Sequence, residues 1–236
     1  GTENYEVTGQ GFTVKGEFLS KGNPVDVKQE PLLALILKLG ALCNDANLLP
    51  EEERVIGDPT EGALLVAAEK GGYNIKDLRI TYPRIQEYPF DSIRKRMSTV
   101  HRGRLSPLTN GMKDEDDRWL ITKGAPDTIL EQCKWWLGSN GLQELTKKKK
   151  REFLDWNKKL GAEALRVLGL TFRPYPFKEL SSVDEVEKEQ ILVGFIGMLD
   201  PARPEAKEAI AVCYQAGIEV KMITGDHRET DRKSVV

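Results

Sequence analysis

Lys123 stands at the end of an apolar run, Trp119-Leu120-Ile121, and is followed by Gly124 and then by Ala125-Pro126-Asp127, which opens a helix-like segment carrying Ile129 and Leu130. An ammonium at a strand end, beside a glycine whose missing Cβ lets a ligand approach the backbone, makes an anion seat. The same order of strand, Lys-Gly, proline and helix also describes an ordinary surface turn, with Pro126 suited to a first helical position and Asp127 to the helix dipole. The spacing GxxxxGK[ST] of a phosphate-binding loop is absent. A second candidate closes the run IEVKMITGD. There Thr224 and Gly225 would donate to phosphoryl oxygens and Asp226 would stand near a hard cation such as Mg²⁺. Asp and Gly can equally do no more than end a strand, and no nucleophile or base visibly pairs with them.

The elements that must position these residues come from a chain of 236 residues, 39% hydrophobic and 31% charged, with a net charge of -2. That length buries one substantial core, or one core and part of another. The charge balance gives no electrostatic reason to expect nucleic acid as a partner. The longest apolar runs, PLLALILKLGALC and ILVGFIGML, are too short and too interrupted to cross a bilayer, and no signal peptide is recognisable. If the region serves a membrane protein, the membrane part is expected outside this sequence. Three widely spaced cysteines, Cys43, Cys133 and Cys213, and two histidines, His101 and His227, offer neither a disulfide framework nor a zinc site. The cysteines read as core thiols in a reducing, cytosolic setting.

Along the chain, YEVTGQGFTVKGEF alternates and reads as a hairpin or sheet edge. From Pro31, Leu32, Leu35, Ile36, Leu39 and Leu42 recur at helical spacing. DPTEGALLVAAEKGG predicts a second helix, with Asp58 or Thr60 as cap, Glu61 in the first turn and Gly71-Gly72 past the end. TYPRIQEYPFDSIRKRMSTVHRG and DEDDRWLITKGA read as two strand-like runs forming an antiparallel pair. TILEQCKWWL reads as a helix, and Phe153, Trp156, Leu160 and Ala164 share one face of the next, whose lysine run is its solvated start. LRVLGLTFRP is a strand. After the polar linker KELSSVDEVEKEQ, the segments ILVGFIGMLD, ARPEAKEAIAVCYQAG and IEVKMITGD predict a β-α-β unit. Its two strands end in Asp200 and Asp226 on one sheet edge, where open α/β sheets bind ligands. The fold class expected is α+β, an antiparallel sheet flanked by helices over residues 1–190, followed by a partial α/β unit over 191–236.

Six segments then occur in order: GDPTEGALL, PFDSIRKRMS, KGAPD, ALRVLGL, MLDPARPE and MITGDH. Together they closely resemble the P-type ATPases of the calcium-pump branch, over nearly the whole chain. The resemblance implies the nucleotide-binding domain with part of the phosphorylation domain of a cation pump, on the cytosolic side of an integral membrane protein. It implies adenine against Phe90, Glu61 beside the base, Lys95 and Lys123 lining the pocket next to Gly124, and Arg166 reaching towards ribose and phosphates. Asp200 and Arg203 would lie at the hinge to the phosphorylation domain, and Thr224, Gly225 and Asp226 would meet the γ-phosphate and Mg²⁺ when the domains close. An aromatic face for a purine and three cations for a triphosphate are chemically apt. Each residue also has a plain alternative: Phe90 in the core, Arg94 and Lys95 on a solvated strand face, Arg166 paired with Glu163, Glu61 as a helix-start carboxylate.

The DKTGT and GDGxND segments of the family do not occur in the sequence, so no catalytic residue is assigned. The expected ligands are ATP and Mg²⁺, and the expected partners are the phosphorylation, actuator and transmembrane domains of the same pump, with the chain itself monomeric and binding ATP without turnover. A stand-alone phosphotransferase using the TGD edge would need a nucleophile on a third parallel strand. A protein-interaction domain would leave Phe90, Lys95 and Lys123 without a ligand.

Overall fold

The computed structural model describes residues 3–105, 117–175, 182–199 and 204–221. The N-terminal stretch forms a small antiparallel sheet of β1 (Glu6–Val7), β2 (Phe18–Ser20) and β3 (Asn23–Val25). Helix α1 (Pro31–Leu42) follows, then the hairpin β4 (Asn47–Leu49) and β5 (Arg54–Ile56), then α2 (Pro59–Lys70) and α3 (Ile75–Thr81). The central part contains β6 (Arg84–Asp91), β7 (Arg96–Arg102), β8 (Arg118–Gly124), α4 (Pro126–Gln132), β9 (Cys133–Gly138) and β10 (Gly141–Glu144). The chain continues through α5 (Lys147–Ala162), β11 (Arg166–Pro174), the short α6 (Val183–Val186), β12 (Gln190–Met198) and α7 (Pro204–Gln215).

Among the described residues the main sheet has seven strands in the order β10-β9-β12-β11-β8-β7-β6. Every neighbouring pair is antiparallel except β12 with β9. This is the antiparallel sheet flanked by helices that the sequence predicts. Register divides its side chains cleanly. Met97, Lys123 and Leu170 form one row across β7, β8 and β11, and Ser98, Thr122 and Thr171 form the next row on the opposite face. The first face carries the large core, where Leu35, Leu39 and Leu42 of α1 and Leu65 of α2 pack with Met97, Ile121, Leu170 and Phe172. Each fully buried leucine there contributes about 1.5–3 kcal/mol. The second face packs Ile129 and Leu130 of α4 and Phe153 of α5 against Trp136 and Leu192.

Several sequence expectations are corrected. TYPRIQEYPFDSIRKRMSTVHRG is not one strand but the hairpin β6–β7. Asp91 Oδ1 accepts from the backbone N–H groups of Ile93 (2.9 Å) and Arg94 (2.8 Å), and Lys95 takes the left-handed φ of 52°, so the chain reverses there. TILEQCKWWL is helical only to Gln132. Its aromatic second half, Cys133–Gly138, is β9, paired through a turn at Gly141 with β10, because Trp135 and Trp136 suit a pleated, half-buried surface. Ala164, expected on the inner face of α5, lies beyond its end at φ 60°. The run ILVGFIGM, expected to open a second unit, is β12 of the main sheet, hydrogen-bonded to β11 on one side and β9 on the other. The expected partner strand of that unit is unassigned over 218–221, and residues 222–236 lie outside the described residues. Helix α7 forms as expected, with Gly217 at φ 72° past its end.

Candidate functional site

Antiparallel pairing brings the end of β6, the start of β7, the end of β8 and the start of β11 to one end of the sheet. Asp91 pairs with Arg96, Arg96 with Gly124 and Gly124 with Gly169, three residues inside β11 from Arg166. Phe90, Lys95, Lys123 and Arg166, scattered over the sequence, therefore share this end. Phe90 is 65% exposed on the edge strand, so it is not core. Lys95 is exposed at the hairpin turn.

Lys123 is the opposite case. Its side chain, 8% exposed, enters the face shared with α1 and α2, where Nζ donates to the Cys43 carbonyl at 2.6 Å and pairs with Glu61 Oε1. A buried cation is tolerable only with such acceptors. Glu61 is brought there by the first turn of α2, whose cap, Asp58, accepts from the N–H groups of Thr60 (2.7 Å) and Glu61 (3.4 Å). Its second oxygen accepts from the Asp45 N–H at 3.0 Å, and its carbonyl accepts from Asn44 Nδ2 at 2.8 Å. Helix α2 and the loop after α1 thus meet over Lys123. Burial pushes the neighbouring Cys43 thiol upward, with the charge on Lys123 acting the other way.

Arg166 does not pair with Glu163. Its Nη1 donates to Thr60 Oγ1 at 2.7 Å, which joins the start of β11 to the start of α2. Burial alone would raise the Asp58 carboxyl, but hydrogen bonds from the Thr60 hydroxyl and from the Thr60 and Glu61 N–H groups, with the nearby Arg166 charge, hold it below the usual range. Thr60 is the site residue that sequence reasoning saw only as a possible cap; its position next to Glu61 in TEGAL was the available signal.

At Gly124 a Cβ would come within 2.5 Å of the Lys95 carbonyl oxygen and 2.6 Å of Arg96 Cβ, so the missing side chain admits the protein's own hairpin. The Lys95 carbonyl also accepts from the Ala125 N–H at 3.0 Å, fastening the turn to the end of β8. Asp200, Arg203, Thr224, Gly225 and Asp226 lie outside the described residues. Among the described residues, no three His, Cys, Asp or Glu side chains come together to hold a metal ion.

Comparison with known proteins gives this arrangement a family. The profile described as "P-type ATPase, cytoplasmic domain N" matches residues 33–205. A calcium-transporting ATPase of Bacillus subtilis is 36% identical over 235 residues, covering 98% of this chain and 25% of that protein. The cation-transporting ATPase pma1 of Synechocystis is 36% identical over 238 residues, with the same coverage of 98% and 25%. A calcium-transporting ATPase 1 of Bacillus cereus is 39% identical over 196 residues, 83% of this chain and 20% of that protein. The chain thus spans about a quarter of the length of the first relatives it matches. With the ordered motifs, the sheet they fold into and a profile match across most of the chain, this protein belongs to the family of the P-type ATPase cytoplasmic domain N.

Proposed function

We propose that this end of the sheet binds ATP and that the chain serves as the nucleotide-receiving part of a cation pump, with calcium as the transported ion. The observation that carries the reading is what shares this end of the sheet: an aromatic ring left 65% exposed at Phe90 on β6, and a cation, Lys123 on β8, buried beside Glu61. A purine stacked on Phe90 would cover apolar surface that the fold leaves open. Glu61 would stand beside the base, Lys123 at the floor of the pocket and Lys95 at its rim. Arg166, held by Thr60, would reach the ribose and phosphates with a planar fork of donors.

The residues suit the triphosphate in charge and reach, without a glycine-rich cradle. When bound, Mg²⁺ would neutralise phosphate charge, with Asp226 as the protein's carboxylate near it and Thr224 and Gly225 as donors to the γ-phosphate. This chain's own part is binding and orientation: it would present the γ-phosphate to an aspartate carried by the DKTGT segment that its sequence does not contain. Asp200 and Arg203 would form the hinge. The remaining partners are the phosphorylation, actuator and membrane domains of the same pump, and the chain lies on the cytosolic side. Calcium rests on the calcium-transporting ATPases of Bacillus subtilis and Bacillus cereus among the relatives. Calorimetric titration with ATP tests the reading: saturable one-to-one binding is expected, and heats equal to dilution over the millimolar range would refute it.

A further inference from the structure

A buried carboxylate, Glu187, lies on the opposite face of the sheet from Lys123, just beyond α6, and is fully shielded from water. Its Oε1 accepts from Arg94 Nη1 at 2.6 Å and Ser98 Oγ at 2.7 Å, and its Oε2 accepts from Arg96 Nε at 2.6 Å. Arg94 lies in the hairpin turn between Phe90 and Lys95, and Arg96 opens β7 directly after it. Arg94 uses its other nitrogen, Nη2, to hold the carbonyl of Pro89, the residue before Phe90, at 2.8 Å. Arg96 Nη1 holds the Arg94 carbonyl at 3.2 Å, and its Nη2 reaches Asp184 of α6 at 3.3 Å.

The carboxylate also terminates a chain of hydrogen bonds with one consistent direction. Gln190 Nε2 donates to Thr122 Oγ1 at 3.2 Å, Thr122 lies 2.9 Å from Ser98 Oγ, and Ser98 donates to Glu187. Since Ser98 spends its proton on the carboxylate, it accepts from Thr122, so the whole row is polarised towards Glu187. Thr122 immediately precedes Lys123 on β8. Glu187 thereby ties the Phe90–Lys95 turn and the Lys123 strand to one fixed point. A hydrophobic core would fix the sheet without dictating the turn's backbone; a carboxylate accepting from two arginines in defined directions dictates it.

We infer that Glu187 is a positioning residue for nucleotide binding: through the Arg94 and Arg96 guanidinium groups it sets the backbone of the turn that presents Phe90 and Lys95. This rests on the reading of that turn as part of the ATP pocket. Glu187→Gln keeps the size but turns an amide NH₂ towards an arginine. Arg94→Lys keeps the charge but cannot hold Glu187 and the Pro89 carbonyl together in a fork. Both variants, Phe90→Ala and Phe153→Ala are titrated with ATP at a temperature where each is folded, beside wild type. Phe153 packs in the second core, among Trp136, Leu192 and Phe195, and reports what general destabilisation does.

The expected result is a loss of affinity of roughly tenfold for Glu187→Gln and Arg94→Lys, with faster amide exchange at Arg94 and Lys95, while Phe153→Ala melts earlier yet binds as wild type. Wild-type affinity in folded Glu187→Gln overturns the inference. Should that variant not fold, wild-type affinity in Arg94→Lys overturns it instead. Loss in Phe90→Ala without loss in these two sinks the inference and leaves the pocket standing; no binding by wild type sinks both.

Discussion

An ammonium almost fully shielded from water must be matched by acceptors, and Lys123 has two, the Cys43 carbonyl and Glu61. The opening position of the lysine at a strand end was visible in the sequence, and so was a carboxylate in the first turn of a helix. That the two meet was not, because it depends on how α2 packs over β8. Lys123→Ala is expected to weaken ATP binding, and bound ATP to protect Lys123 from acylation better than the lysines of 147–150; equal labelling with and without ATP would contradict this. Phe90→Ala is expected to cost about 1–3 kcal/mol of ATP binding with the fold intact, measured as the ratio of dissociation constants. Titration of one further residue reports on the core. His101 is buried on β7 between the Tyr82 carbonyl and Thr99, and burial lowers its pKa from 6.5 to about 4. The unfolded state therefore binds more protons between pH 6.5 and about 4, and the stability His101 contributes is present above that window and lost as pH falls through it. The loss amounts to about 3 kcal/mol at most. Thermal melting should show a steeper fall over this window in wild type than in His101→Gln.

At the scale of elements, regular periodicity was legible and its interruptions were not. Helix α1 follows its leucine spacing, α2 its Asp58 cap, and α7 its proline and glycine. The hairpin turn at 91–95 contains no glycine, and its one compositional sign is Asp91-Ser92; the reversal is made by the Asp91 carboxylate, which the Arg94 and Ile93 N–H groups hold below its usual pKa. Helix α6 and Glu187 lie in what reads as a polar linker, because a run rich in Asp, Glu and Lys carries no sign that one carboxylate will be buried. Asp58→Ala removes the cap of α2 and is expected to cost about 1 kcal/mol of stability. Because the same turn places Glu61 and Thr60, it should also weaken ATP binding. Chemical denaturation and titration together separate the two effects, and unchanged affinity would detach the α2 cap from the site.

For the whole molecule, the sequence expectation of a helix-flanked antiparallel sheet holds, but the break at residue 190 does not follow a structural seam. Strand β12 begins at Gln190, and its hydrogen bonds to β11 and β9 place it inside the sheet. A continuous apolar run suits a strand buried on both faces in either a parallel or an antiparallel sheet, so the run alone could not say which. Because the sequence has no DKTGT aspartate, incubation with γ-labelled ATP and Mg²⁺ is expected to leave no covalent phosphate on the chain, and a hydroxylamine-sensitive label would overturn that. The central claim is that one end of the main sheet receives ATP, and amide chemical shifts of the ¹⁵N-labelled chain during ATP titration test it most directly. The expected result is saturable shifts concentrated at Thr60, Glu61, Phe90, Lys95, Lys123, Gly124 and Arg166. Saturable shifts confined to the other end of the sheet, or no shifts at all, would contradict it.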